Sequence, residues 1–280
     1  MVSERVGQFF VDGHRLEFTE YGGGDHWVVL VHGQLMLRRM HQPLARALAA
    51  EGLHVVTVDM LGHGRSDRPD DPLLYSMTAF AEQAVALLDR LGAEKAVIGG
   101  TSLGGNVALE VAAAAPERVQ GLIIEMPVLD NALEAGLITF APMMFAARFL
   151  PFTVQGLRLV TKAVPRGIVP FWAGIVLDTL NQKPAPMAAM IHGIFFGRIA
   201  PGTKQRKAIT APTLIIGHAA DPVHPAADAA MLAEEVPGAR FVRAKSILEW
   251  RMRPERLTAE AVDFARKCWD SPRSQRMTGA

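Results

Sequence analysis

Five short runs in this chain are hydrophobic almost without interruption: Trp27-Val28-Val29-Leu30-Val31, His54-Val55-Val56-Thr57-Val58, Ala96-Val97-Ile98-Gly99, Val119-Gln120-Gly121-Leu122-Ile123-Ile124 and Pro212-Thr213-Leu214-Ile215-Ile216-Gly217. Runs of this length and continuity predict strands buried on both faces. Residues 39–51, with Leu44 and Leu48 on one face, and 77–91 have helical spacing and stop at Gly52 and Gly92. Residues 225–236 predict a further helix. At the N-terminus, 6–11 and 15–21 read as two strands joined by Asp12-Gly13, a hairpin signal. Residues 239–244 predict a last short strand, and 254–269 a closing helix with Pro254 in its first turn. Ser271 to Ala280 reads as a frayed tail. Strands alternating with helices predict a mostly parallel sheet covered on both faces, with its chemistry at the carboxyl ends of the strands.

Between Pro127 and Thr210 the rhythm changes. This stretch is rich in Met, Phe, Leu and Ala, and carries prolines at 142, 151, 165, 170, 184 and 186. It predicts several short helices and no strand. An insertion of that size is expected to form a helical lid over the strand ends, its apolar residues packing the lid itself and roofing a pocket. The expected division is a core of residues 1–126 and 211–280 with a lid of residues 127–210.

Composition narrows the function. The chain has 280 residues, half of them hydrophobic, enough for a large core. A net charge of +1 leaves no electrostatic footprint for nucleic acid or an anionic membrane. The single cysteine, Cys268, excludes a disulfide framework within the chain and a cysteine-built metal site. Residues 1–5 are not followed by an apolar signal core. The most apolar region, Ala135 to Ala147, is too short to span a bilayer and is interrupted by Pro142. The expectation is a cytoplasmic protein without metal or cofactor, acting on a small molecule.

The candidate chemistry centres on Gly100-Thr101-Ser102-Leu103-Gly104, a G-x-S-x-G pentapeptide. An apolar strand precedes it and a small-residue helical stretch, 105–112, follows it. Strand, tight turn and helix is the context in which this motif presents a serine as nucleophile, the bland alternative being a chance match in a glycine-rich loop. Glycines on both sides permit close approach of strand and helix.

Four features in order resemble the α/β-hydrolase superfamily: His32-Gly33 after the third strand, Asp59-x-x-Gly62-His63-Gly64-x-Ser66 after the fourth, the Ser102 turn after the fifth, and Asp221 after the strand ending at Gly217. The resemblance runs from about Gln8 to Trp269. It implies an eight-stranded, mostly parallel sheet with a lid between strands six and seven. It further implies Ser102 as nucleophile, Asp221 as the acid, and an oxyanion hole from the backbone N–H groups of Leu103 and Gln34. Serine at the turn, not Asp, argues against the dehalogenase and epoxide-hydrolase branches. His32 and the Gly62-His63-Gly64 loop are read as structural supports.

One element departs from the family pattern. The base is expected as a histidine after strand eight, but that loop reads Arg243-Ala244-Lys245-Ser246-Ile247-Leu248-Glu249-Trp250, and no histidine follows His224. Three groups are candidates to replace it: His224, three residues beyond Asp221; His192, folding down from the lid; and Lys245, whose pKa would have to fall by about three units. Imidazole chemistry at ambient pH favours His224, whose bland alternative is a helix cap. Glu125, ending strand six, is an alternative acid or else a solvated or lid-bridging carboxylate. The leading expectation is a cofactor-independent serine esterase cleaving a small, largely apolar ester or thioester. The alternatives are a pseudo-hydrolase that only binds a ligand, and a cyclase or lyase that uses the lidded cavity without the serine.

Overall fold

The computed structural model describes residues 2–270; the tail expected at 271–280 lies outside the described residues. Eight strands form one sheet: β1 (Glu4–Val11), β2 (His14–Tyr21), β3 (Trp27–Val31), β4 (His54–Asp59), β5 (Ala96–Thr101), β6 (Val119–Glu125), β7 (Thr213–His218) and β8 (Arg240–Ala244). Their spatial order is β1-β2-β4-β3-β5-β6-β7-β8. β2 pairs antiparallel with β1 and β4, and every other pairing is parallel. The β1–β2 turn places Asp12 at φ 48° and Gly13 at φ 79°. Two left-handed residues in a two-residue loop match the twist of the strands they join.

The helices of the core are α1 (Gln42–Ala50), α2 (Met77–Leu91), α3 (Leu103–Ala114), α9 (Ala226–Glu235), α10 (Glu249–Met252) and α11 (Glu255–Asp270). Two apolar clusters separate the layers. One joins a sheet face to α2, α3 and α9; the other joins the opposite face to α1 and α11. Helix α2 has the bounds its pattern predicts. The Ser76 hydroxyl accepts from the Ala79 N–H at 3.0 Å at its start, and Gly92 at φ 67° ends it. The helix expected over residues 39–51 is divided. A 3-10 turn, Arg38–His41, precedes α1, which restarts where Pro43, lacking an N–H, is tolerated in a first turn. Helix α10 was not expected; buried Trp250 anchors it.

Between β6 and β7 the described chain forms α4 (Leu133–Phe149), α5 (Pro151–Ala163), α6 (Phe171–Thr179), α7 (Pro184–Phe195) and α8 (Thr203–Lys207), with no strand. Prolines open or cap most of these: Pro151 starts α5, Pro170 caps α6 and Pro184 starts α7. Pro142, read as an interruption, instead lies inside α4, where it removes one N–H from the ladder without ending the helix. The apolar residues of this insertion divide. Met187, Met190, Ile191 and Ile194 of α7 join the core cluster of α2 and α3, while Phe145, Phe149 and Phe152 face outward, Phe152 at 91% exposure. Among the described residues no single helix is long and apolar enough to cross a membrane; α4 and α5 have that length and composition only together, and meet at 104°.

Candidate active site

The strand-to-helix turn after β5 places Ser102 at φ 54°, ψ −113°. A non-glycine residue there is strained and persists only where its surroundings over-determine it. They do so here. The Ser102 N–H donates to the Glu125 carbonyl at 2.8 Å, and the Ser102 carbonyl accepts from the Asn106 N–H at 3.0 Å. Close approach does the rest: a Cβ on Gly104 would lie 1.9 Å from the Val31 carbonyl oxygen, so only glycine lets α3 descend onto β3. The hydroxyl is thereby carried at the carboxyl end of the sheet, with the Leu103 N–H opening α3, where amides have no intrahelical partner.

The second half of the site comes from the segment after β7. Ala220, at φ 57°, turns the chain back. Asp221 Oδ1 then accepts from the backbone N–H groups of Val223 at 2.8 Å and His224 at 3.0 Å. This side-chain turn wraps three residues into a tight arch that ends at Pro225, the cap of α9. Within it His224 Nδ1 lies 3.0 Å from Asp221 Oδ2, and His224 Nε2 lies 2.8 Å from Ser102 Oγ. A carboxylate only accepts, so Nδ1 carries the proton and Nε2 is the acceptor for the serine O–H. Burial alone would raise the Asp221 carboxyl. The hydrogen bond and charge of His224 and two backbone N–H groups outweigh it and hold the carboxyl below its ordinary value.

The other candidates lie elsewhere. His192 is exposed on α7 and its ring rests on Phe196, 4.7 Å between centroids. Lys245 is exposed, its backbone N–H bonded to Glu249. Glu125 is neither solvated nor lid-bridging: its carboxylate is buried beneath the turn, bonded to the Thr101 hydroxyl and, at 2.9 Å, to Arg251. His218 Nε2 lies 3.0 Å from its other oxygen, and His218 Nδ1 donates to the Ser246 carbonyl at 3.0 Å. Burial would raise the Glu125 carboxyl, but the Arg251 guanidinium and His218 hold it well below the carboxylate range. Glu125 thus ties the Ser102 turn to β7 and to α10. Arg251, Thr101 and His218 are its partners, and nothing in their spacing signals this.

Two histidines near the site are struts. His32 is buried, its Nε2 accepting from the Met60 N–H at 3.1 Å and its Nδ1 donating to the Gly33 carbonyl at 2.9 Å. His63 is buried, its Nδ1 3.0 Å from the Leu61 carbonyl oxygen. Burial pushes both imidazoles below their ordinary pKa. The Gly33–Met36 turn closes with a 3.0 Å bond from the Met36 N–H to the Gly33 carbonyl, Leu35 adopts φ 61°, and Gln182 from the helical insertion donates to the Leu35 carbonyl at 2.9 Å.

Two buried polar residues that the sequence reading did not single out fasten the first turns of the insertion. Asn106, a lone amide in an apolar helix, donates to the carbonyls of Val128 at 2.7 Å and Ile199 at 2.9 Å and accepts from the Val128 N–H. Asp228 on α9 accepts from the N–H groups of Leu129, Asn131 and Ala132 and from the Asn131 side chain. Above Ser102 these elements line a partly open cavity of about 50 Å³. It reaches Gln34, Ser102 and His224 and is otherwise walled mainly by apolar side chains such as Met77, Phe140, Ile194 and Phe195.

Comparison with known proteins agrees with this architecture. The profile of the α/β hydrolase fold matches residues 26–246. RutD of Azorhizobium caulinodans, designated a carbamate hydrolase, is 31% identical over 208 residues, 71% of this chain and 75% of its own. A 2-hydroxymuconate semialdehyde hydrolase of Pseudomonas putida is 44% identical over 86 residues, 30% of each chain. A thermophilic esterase from Thermogutta terrifontis superposes with a TM-score of 0.72 at 25% identity, over 96% of this chain and 99% of that one. With its eight-stranded sheet, its serine turn after β5 and relatives that are hydrolases, this chain belongs to the α/β-hydrolase fold family.

Proposed function

We propose that this protein is a serine hydrolase of carboxylic esters or thioesters, with Ser102 as nucleophile, His224 as general base and Asp221 as the group that orients it. The observation that carries the reading is the continuous chain from Ser102 Oγ to His224 Nε2 at 2.8 Å and from His224 Nδ1 to Asp221 Oδ2 at 3.0 Å. It meets the geometric requirement for an activated hydroxyl and its orienter.

In the first step Ser102 Oγ attacks the acyl carbon while its proton passes to His224 Nε2. The imidazolium that forms is stabilised by ionised Asp221, which does not itself take the proton. The oxyanion is received by the backbone N–H groups of Leu103 and Gln34, fixed in place before the charge develops. Collapse expels the alcohol or thiol, which takes the proton from Nε2 and leaves an acyl-serine. Water, deprotonated by the same nitrogen, then attacks the acyl-serine; the acid leaves and Ser102 regains its proton.

Residues 127–210 act in this reading as a lid subdomain roofing the core of 1–126 and 211–280. The cavity, about 50 Å³, is far below the several hundred Å³ of ordinary ligand pockets, so all but the shortest acyl groups require α4 and α7 to part. Apolar walls favour an apolar acyl chain. The non-hydrolytic alternatives were motivated by the empty base position after β8, and His224 supplies a group for that role from the preceding loop.

The test is labelling by a fluorophosphonate with mass-spectrometric site mapping, alongside hydrolysis of 4-nitrophenyl acetate. Modification at Ser102 and a turnover that Ser102→Ala reduces by about 10⁴-fold or more are expected. Folded protein that neither labels nor turns over would refute the assignment.

A further inference from the structure

Gln34 carries a second property besides its backbone N–H. Its side-chain nitrogen and oxygen are both sealed from solvent, and neither has a hydrogen-bond partner within the protein. The residue lines the cavity above Ser102. The other buried amide of that cavity, Asn106, is committed, with both its oxygen and its nitrogen bonded to the backbone of the insertion. Ser102 and His224 are bonded to each other. Among the described residues that line the cavity, Gln34 is the one whose side-chain polar atoms have no partner within the protein.

A buried amide without partners is costly, and a protein that retains one beside a reactive centre has a use for it. Nε2 offers donors and Oε1 offers lone pairs, side by side in one plane. A ligand carbonyl alone answers only the nitrogen, and a ligand N–H alone only the oxygen. A planar amide or carbamate answers both at once, by a paired N–H···O=C and C=O···H–N contact.

We infer that Gln34 is a specificity-determining residue, and that the acyl group of the preferred substrate carries an amide or carbamate within a few bonds of the scissile carbonyl. This rests on the serine-hydrolase reading and narrows its substrate class from apolar esters to acylamino esters with apolar flanks. The acyl side is assigned because the attacked carbonyl and its acyl chain must share the cavity that Gln34 lines. Sites built to hydrogen-bond a substrate group reject analogues that lack it far more strongly than apolar pockets reject a changed methylene.

The experiment uses three 4-nitrophenyl esters of equal chain length: N-acetylglycinate, 4-oxopentanoate and pentanoate. They place an amide, a lone carbonyl and methylenes at the same positions. Any opening of the helices needed to admit them cancels in the ratio of their kcat/KM values, each normalised to its spontaneous hydrolysis. The N-acetylglycinate is expected to be preferred over the pentanoate by about 10-fold or more, with the 4-oxopentanoate between. Gln34→Leu and Gln34→Met are expected to bring the ratio close to one, the amide ester losing about 10-fold more kcat/KM than the pentanoate whatever common loss a shift of the Gln34 backbone N–H imposes on all three. Their Tm should equal or exceed that of the wild type, since an unpartnered amide has been removed. A ratio near one in the wild type, a ratio unchanged by the variants, or a uniform loss for all three esters with a lowered Tm would each overturn the inference and leave the hydrolase reading intact. Absence of any Ser102-dependent turnover would instead overturn the hydrolase reading, and this one with it.

Discussion

His224 Nε2 lies 2.8 Å from Ser102 Oγ, across 122 residues of sequence. Asp221 is three residues away on the same arch, its Oδ2 3.0 Å from Nδ1. The Asp221 carboxylate and the His224 imidazole therefore arrive together on one turn after β7, while the loop after β8 carries no imidazole.

This compact arrangement predicts separable losses. Asp221→Asn keeps an oxygen for the Val223 and His224 N–H groups, so the arch survives, but presents an amide donor to Nδ1 and favours the wrong tautomer. Its kcat should fall by about 10⁴-fold with the melting temperature little changed. Asp221→Ala removes the acceptor of both backbone bonds as well, and should lose stability along with activity. Kinetics and differential scanning calorimetry on the pair separate the two roles; equal melting temperatures for Asn and Ala variants would count against the arch.

The strain at Ser102 predicts a trade between stability and activity. At φ 54° a glycine is at ease and an alanine is not. Ser102→Gly should be more stable than Ser102→Ala by about 1 kcal/mol, and at least as stable as the wild type, while neither variant turns over ester. Urea denaturation of the three proteins decides it.

The Glu125 cluster predicts a pH dependence. Its carboxyl is depressed in the fold from a reference value of 4.5, so its contribution is fully present above that value and is lost as pH falls below it. Glu125→Gln leaves Arg251 without its buried counter-charge and should cost about 3 kcal/mol at neutral pH. The gap between variant and wild type should narrow as pH drops below about 4. A gap that stays constant between pH 7 and pH 3 would exclude an ionised Glu125 as the source.

Asp228 predicts how the helical insertion is fastened. Its fully buried carboxylate receives the N–H groups of Leu129, Asn131 and Ala132. Asp228→Ala strands these donors and should cost about 3 kcal/mol or more. The segment around residues 129–132 should become an early site of limited proteolysis. An unchanged cleavage pattern would mean that Asn106 holds the segment alone.

Most of the framework was legible along the chain. The strands declare themselves because both faces of a parallel sheet are buried, which forces continuous apolar runs. The turn at Ser102 is legible because its sterics admit so few residues: Gly104 cannot carry a Cβ against Val31. Asp221 stood out only through the family resemblance, by its place just past the end of a buried strand. Other elements were hidden because they are pairings between distant segments. Glu125 looked like a possible acid or a solvated or lid-bridging carboxylate until Thr101, Arg251 and His218 closed around it, and Pro142, which interrupts an apolar run in the sequence, lies inside a helix that continues through it.

The sequence by itself determined the sheet, the alternation of its layers and the sharp turn that presents Ser102, since these follow from periodicity and local sterics within a few residues. It left three groups contending for the role of base, and nothing in their composition chose between them. Only the tertiary structure decided which imidazole meets the hydroxyl. Hydrogen bonding is set by a few tenths of an ångström between atoms brought from far apart, and that distance is a property of the folded whole.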